Sequence, residues 1–209
     1  MRLPLLTLLC LLSAAPAAAA IDAWRIDPVH TQILFSIDHQ GFNQALGLIR
    51  ASEGRLHLDP EDWSTARLEV TIDMNSLLLG DAKWEEAVRS WRFLDTRRWP
   101  QARFRSLRVE RSSDGRGSAH GELELHGHTR PLSIEFRLNK LANDPYAFKR
   151  TAGFSATARL KRSEFGMDKV LSAVGDTVEL RIEAAFVRDR DADATSDAST
   201  TGETDAIQE

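Results

Sequence analysis

Residues 33–39 constrain this chain more than any other stretch. Successive side chains of an extended strand point to opposite sides, so Ile33, Phe35, Ile37 and His39 share one face, and Leu34, Ser36 and Asp38 share the other. A strand with one apolar face must press that face against something. The same alternation returns in 46–58, 67–74, 104–110, 118–126, 132–141, 151–161 and 177–188. It is cleanest in 67–74, where Leu68, Val70, Ile72 and Met74 alternate with Arg67, Glu69, Thr71 and Asp73. Turn signals separate the segments, among them Asp59-Pro60, the run Ser112-Ser113-Asp114-Gly115, Gly127 and Asn143-Asp144-Pro145.

The period changes once. Trp84, Ala87, Val88 and Trp91 recur at helical spacing behind Asp81, a residue suited to cap a helix N-terminus. The indoles are read as packing against the sheet, with a lid over an opening as the alternative. Eight or so strands and a single helix point to an all-β fold. The expected form is an antiparallel lipocalin-like β-barrel of about eight strands with one short amphipathic helix. Closure is favoured over a sandwich because it removes the exposed strand edges that invite aggregation.

The ends fall outside this domain. Residues 1–20 read as a signal peptide: Arg2, then an apolar run through Leu12, then Ala17-Ala18-Ala19-Ala20 as the cleavage site. The run is shorter than the roughly 20 residues that span a bilayer. The expected localisation is therefore the periplasm, reached through a cleaved signal. Residues 188–209 form an acidic tail with almost no apolar side chains, expected to be disordered. Between them, 21–187 are read as one domain close to charge neutrality. Such a balance lacks the basic stripe that nucleic-acid binding requires. The single cysteine, Cys10, lies inside the signal, so the mature chain is expected to carry no disulfide and no thiol chemistry.

No nucleophile elbow, zinc-protease helix or phosphate loop is present, and no catalytic residue or cofactor is assigned. His120, Glu122, Glu124 and His126 share one strand face, which would suit a metal. That face opposes Leu123 and Leu125 and is read as solvated, so no metal is assigned. Asp27 and His30 could pair as base and orienter, but read more simply as a turn. His39 differs, because it shares the apolar face of Phe35 and Ile37. It is either a satisfied core histidine or a polar group at the end of a greasy cavity.

The segments carry a consistent set of landmarks: Trp24-x-Ile26-Asp27-x-x-His30-Thr31, Phe35-x-Ile37-x-His39-x-Gly41, Trp99-Pro100-x-x-x-Phe104-x-Ser106 and Gly121-x-Leu123-x-x-x-Gly127-x-Thr129-x-Pro131. Arg162-Ser163-x-Phe165-Gly166-Met167 and Val174-Gly175-Asp176 follow. In their order and spacing these resemble the YceI-like family of bacterial periplasmic proteins over nearly all of 24–187. The resemblance implies a lipocalin-like barrel that holds a long-chain isoprenoid or similar fatty amphiphile, without enzymatic activity. Gln44-Ala45-Leu46-Gly47-Leu48, the two helix tryptophans and the acidic tail depart from the family pattern.

The residue pattern leads to the same expectation. Phe35, Ile37, Leu68, Val70, Met74, Phe104, Leu123, Phe136, Phe154, Leu180 and Ile182 would line a dry interior, with His39 at the polar end of the ligand. Val170, Leu171, Ala173 and Val174 in the last loop are read as mouth or membrane-contact residues, or as packing on the barrel floor. Transient membrane contact and a homodimer are both compatible with this reading. The alternatives are a filled-core barrel used for protein contact and, more remotely, a secreted metal-dependent hydrolase.

Overall fold

The computed structural model describes residues 21–190. The expected signal peptide and all but the first residues of the expected tail lie outside them. Nine strands form one antiparallel sheet: β1 (Asp22–Ile26), β2 (Gln32–His39), β3 (Asn43–Leu58), β4 (Arg67–Leu78), β5 (Gln101–Arg111), β6 (Arg116–Leu125), β7 (His128–Asn143), β8 (Arg150–Lys161) and β9 (Val174–Arg188). Each strand from β2 to β9 pairs with its sequence neighbour, β4 with β5 included across the helical insertion. β2 also pairs with β9, which closes the ring. Helix α1 (Ala82–Arg89) lies between β4 and β5.

The ninth strand is not a ninth stave. β1 pairs with β3 and β9, the same two neighbours that flank β2. The pair β1 and β2 is therefore one stave interrupted at 27–31, and the barrel has eight positions. Alternation missed β1 because Asp22, Ala23 and Trp24 are all buried in it. β9 ends at Arg188, one residue into the segment expected to be tail, where the Arg188 guanidinium pairs with the Asp22 carboxylate of β1.

The interruption has a chemical cause. Pro28 offers no amide to the ladder, and the Asp27 carboxylate accepts from the Val29 amide (2.9 Å) and meets the His30 Nδ1 (2.8 Å). On either side the stave is stitched back to one residue of β9. The Asp27 amide donates to the Ala185 carbonyl (2.8 Å), and the buried Thr31 hydroxyl accepts from the Ala185 amide (3.2 Å). The Asp27–His30 pair is thus a turn, with His30 exposed.

Both groups titrate away from their ordinary values. Burial acts to raise the Asp27 pKa but is outweighed by the hydrogen bonds from His30 and the Val29 amide, so it is lowered. The hydrogen bond to Asp27, then its charge, raises the His30 pKa. The Asp27 contribution to stability is present above its unfolded value and lost as pH falls. The His30 contribution is present below its unfolded value and lost as pH rises through the raised one. The turn is firmest between about pH 4 and pH 6.5, the unfolded values of the two groups. An NMR titration is expected to find His30 above the ordinary histidine value and to see it return on Asp27→Asn. An unshifted His30 in the unaltered protein would contradict the pairing.

The core lies in two parts. Trp24, Leu56, Leu58, Trp63, Ala66 and Phe186 fill one end of the barrel. Met74, Phe104, Leu123, Leu125, Phe165 and Met167 pack toward the other.

Candidate functional site: an apolar cavity under a helix

A cavity of about 500 Å³ occupies the barrel interior between these two clusters. That lies within the roughly 300–1,000 Å³ typical of small-molecule sites. All twelve residues named from the alternation pattern line it: Phe35, Ile37, His39, Leu68, Val70, Met74, Phe104, Leu123, Phe136, Phe154, Leu180 and Ile182. They come from seven strands, because each strand turns alternate side chains inward. At the floor, Trp63 stacks on Phe136 with centroids 5.5 Å apart, and Phe136 meets Phe154 edge-on at 6.0 Å. The indole of Trp63 is buried, and its Nε1 donates to the Pro60 carbonyl (3.1 Å).

The other end is the mouth, and α1 lies across it. Asp81 caps the helix by accepting from the Trp84 amide (2.9 Å). Glu85 accepts from the Leu79 amide (2.9 Å), and Arg89 donates to the Leu77 carbonyl (2.6 Å), so both helix residues are tied to the end of β4. No residue of α1 is buried, yet Trp84, Ala87 and Val88 line the cavity. The indoles are not part of a packed core: Trp84 is 39% exposed and lines the cavity, the placement that the alternative reading as a lid calls for. The amphipathic face of the helix meets a cavity, a distinction that periodicity does not carry. Trp91 lies beyond the helix end and is exposed.

Two polar groups on the wall stand at the mouth, while the third, Thr31, lies just before β2 with its hydroxyl engaged by the Ala185 amide. The His39 ring lies 6.3 Å from that of Trp84. Arg162, which the alternation pattern missed, carries the only permanent charge on the wall among the described residues and is only 3% exposed. Its guanidinium donates to the carbonyls of Gly175 (2.9 Å), Val174 (2.8 Å) and Met167, and lies 5.7 Å from the centre of the Phe93 ring. Burial lowers its pKa from the ordinary arginine value, against the opposing charges of Asp176 and Asp168. Val174 is also the cross-strand partner of His39, so the two polar groups flank the start of β9. Arginine at a strand end usually reads as solvated, so its burial carries no signal in the alternation pattern.

The histidines do not converge. His120 Nδ1 bonds the Ser133 hydroxyl (2.8 Å) on the outer face, where Glu122 and Glu124 are exposed. His126 leaves that face altogether: at φ 52° it forms the β6–β7 turn with Gly127, and its Nδ1 meets the Phe165 carbonyl (3.0 Å). Among the described residues, no three His, Cys, Asp or Glu side chains are placed to hold a metal.

A closed antiparallel barrel with a deep apolar interior, a packed floor and a helical lid defines a lipocalin-like cavity barrel. The family model described as the YceI-like domain matches residues 24–186, and the chain belongs to that family. A UPF0312 protein of Serratia proteamaculans is 33% identical over 180 residues, covering 85% of this chain and 92% of that one. Among solved structures, Burkholderia cenocepacia BcnA superimposes with a TM-score of 0.69 at 20% identity, covering 77% of this chain and 98% of its own. A polyisoprenoid-binding domain from Saccharophagus degradans gives a TM-score of 0.60 at 11% identity, covering 81% and 99%.

Proposed function

We propose that this chain is a periplasmic binding protein that sequesters or shuttles a long-chain isoprenoid-type lipid, polyprenyl or quinone-like, in the barrel interior. The observation that carries this reading is the cavity: apolar along its length, with His39 and Arg162 at one end and, elsewhere, only the Thr31 hydroxyl, which the Ala185 amide engages. That polarity matches a ligand with one long apolar chain and one polar terminus. Phe136, Phe154 and Ile182 would hold the chain, and His39 and Arg162 would face the terminus. The polyisoprenoid-binding domain with the same fold supports the choice of lipid class. The leader-like composition of residues 1–20 supports export. Among the described residues the polar side chains on the wall are Thr31, His39 and Arg162, and the Thr31 hydroxyl is engaged by the Ala185 amide, an arrangement that favours binding over catalysis.

The energetics suit a carrier. At roughly 0.8 kcal/mol per buried CH₂, a chain of about twenty carbons gains a gross ~16 kcal/mol on leaving water. A bilayer offers the same chain a similar gain, so the net preference for the barrel is small and cargo can be exchanged.

Trp63 at the floor and Trp84 at the mouth both line the cavity, so tryptophan fluorescence reports on occupancy. Titrating delipidated protein with polyprenols of increasing length is expected to give a saturable one-to-one change. Ala156, which faces the cavity opposite Phe136, offers the control. Ala156→Trp fills the space and is expected to weaken binding by about tenfold or more. A flat titration across all chain lengths would overturn the reading.

A further inference from the structure

Three separate elements meet around the mouth, and each projects apolar side chains into solvent. The β2–β3 turn carries Phe42, 84% exposed, and the adjoining β3 carries Leu46, 67% exposed. The segment after α1 carries Trp91, 65% exposed. The loop before β9 carries Val170 and Leu171, both exposed. These elements are tied to one another. The Gln40 amide donates to the Ala173 carbonyl (2.9 Å), His39 contacts Trp84, and Arg162 beneath that same loop lies over Phe93.

The apolar surface continues down the outside of the barrel. Leu48 is the cross-strand partner of both Leu34 and Leu78, and Leu34 and Leu78 are exposed. On an outward face of β2–β4 that also carries Ser36, Asp38, Arg50 and Ser76, four positions are leucine: Leu34, Leu46, Leu48 and Leu78. A connected apolar area of this kind marks an interaction site. None of Phe42, Leu46, Trp91, Leu34 or Leu78 lines the cavity, so the patch is distinct from the interior site.

We propose that this surface seats the mouth of the barrel on a lipid bilayer with anionic headgroups. Two observations select a bilayer. The patch is continuous with the open end of the cavity, where Trp84 and Ala87 are exposed and also line the interior, so cargo could pass between the two without crossing water. Residues 91–98 also carry three exposed arginines, Arg92, Arg97 and Arg98, against the single carboxylate of Asp95. Arg92 stacks on Trp91 and Arg98 on Trp99, at 5.6 Å and 5.0 Å from the ring centres. Tryptophan with a neighbouring cation suits the headgroup layer, where the ring takes the apolar side and the charge meets phosphate.

The proposal needs the carrier reading for its purpose but not for its test. The full mature chain is mixed with vesicles of phosphatidylethanolamine and phosphatidylglycerol, or of phosphatidylcholine alone, and association is read by flotation. The protein is expected to float with the anionic vesicles and much less with the neutral ones. Phe42→Ser with Trp91→Ser removes two inserting side chains and is expected to cut association by at least about tenfold. Arg92→Glu with Arg97→Glu is expected to abolish the preference for the anionic surface. Polyprenol titration in detergent-dispersed form should be unchanged in both double variants, which keeps failure of docking separate from failure of the cavity. Three results would overturn the proposal: no flotation with either vesicle, flotation unaffected by the Phe42 and Trp91 changes, or a dimer in sedimentation that those changes dissociate. The last would assign the patch to a second copy of the chain.

Discussion

Phe136→Asp is expected to abolish lipid retention while Phe136→Ala preserves it. Phe136 faces the cavity at its floor, between Trp63 and Phe154. Either change removes a large ring from a packed cluster, so both variants should lose about 3–5 kcal/mol of stability. They differ in what they leave behind. Alanine enlarges an apolar space, and a flexible acyl or prenyl chain can settle into it. A carboxylate there faces no cation on the cavity wall among the described residues: Arg162 is at the opposite end, and the Arg111 guanidinium lies over the Trp63 ring that stacks on Phe136 rather than on the wall. Its carboxyl group is driven toward the neutral form by desolvation, and even then it presents an unpaired polar group to the chain. Covering such a group with hydrocarbon costs about 2–7 kcal/mol, a loss of affinity of more than about tenfold. Lipid content of the two purified variants, with circular dichroism to verify the barrel, checks the contrast. Equal retention would show that the chain does not reach the floor.

Arg162→Leu is expected to produce the largest loss of stability of any single change at the mouth. The guanidinium ties the Met167 carbonyl in the loop to those of Val174 and Gly175 at the start of β9. Ser163, the next residue, donates both its amide and its hydroxyl to Asp176, each at 2.9 Å. The loop from 166 to 173 is thus clamped at its base. Leucine restores apolar contact but leaves the carbonyls without donors, at about 1–3 kcal/mol for each that water cannot reach. A total near 3 kcal/mol lowers the melting temperature by about 10 °C in a domain of this size. Replacing a whole buried ion pair with apolar groups can be neutral, but here only the donor is removed. Thermal unfolding by circular dichroism measures the effect. A drop under about 3 °C would show that the loop holds itself without Arg162.

The two landmarks at the chain end, Arg162-Ser163 and Gly175-Asp176, are one chemical unit in space, and spacing alone could not reveal that. Period two was legible wherever a strand has one wet and one dry face, as in β4 with Leu68, Val70 and Ile72. Because a barrel has a single interior, that one rule also placed the cavity wall. It failed where a strand is buried on both faces, as in β1, and where an outward face is apolar, as at Leu34, Leu46 and Leu78. Alternation assigns Leu34 to the face of Ser36 and Asp38 but says nothing of what would cover it. Helical period likewise gave α1 and its Asp81 cap but not its role. A helix face above a cavity and one above a packed core read alike, and only the position of Trp84 over His39 separates them. Polar residues that fold inward, Arg162 and Thr31, carry no periodic signal; hydrogen-bond geometry alone makes their burial tolerable.

The central claim is that the cavity holds a lipid, and the most direct test is mass spectrometry of organic extracts from protein purified out of the periplasm without detergent. A long-chain species in about one-to-one ratio to the barrel, lost in Phe136→Asp, is the expected result. A clean extract, from a protein that also takes up no prenyl lipid when offered, would contradict it.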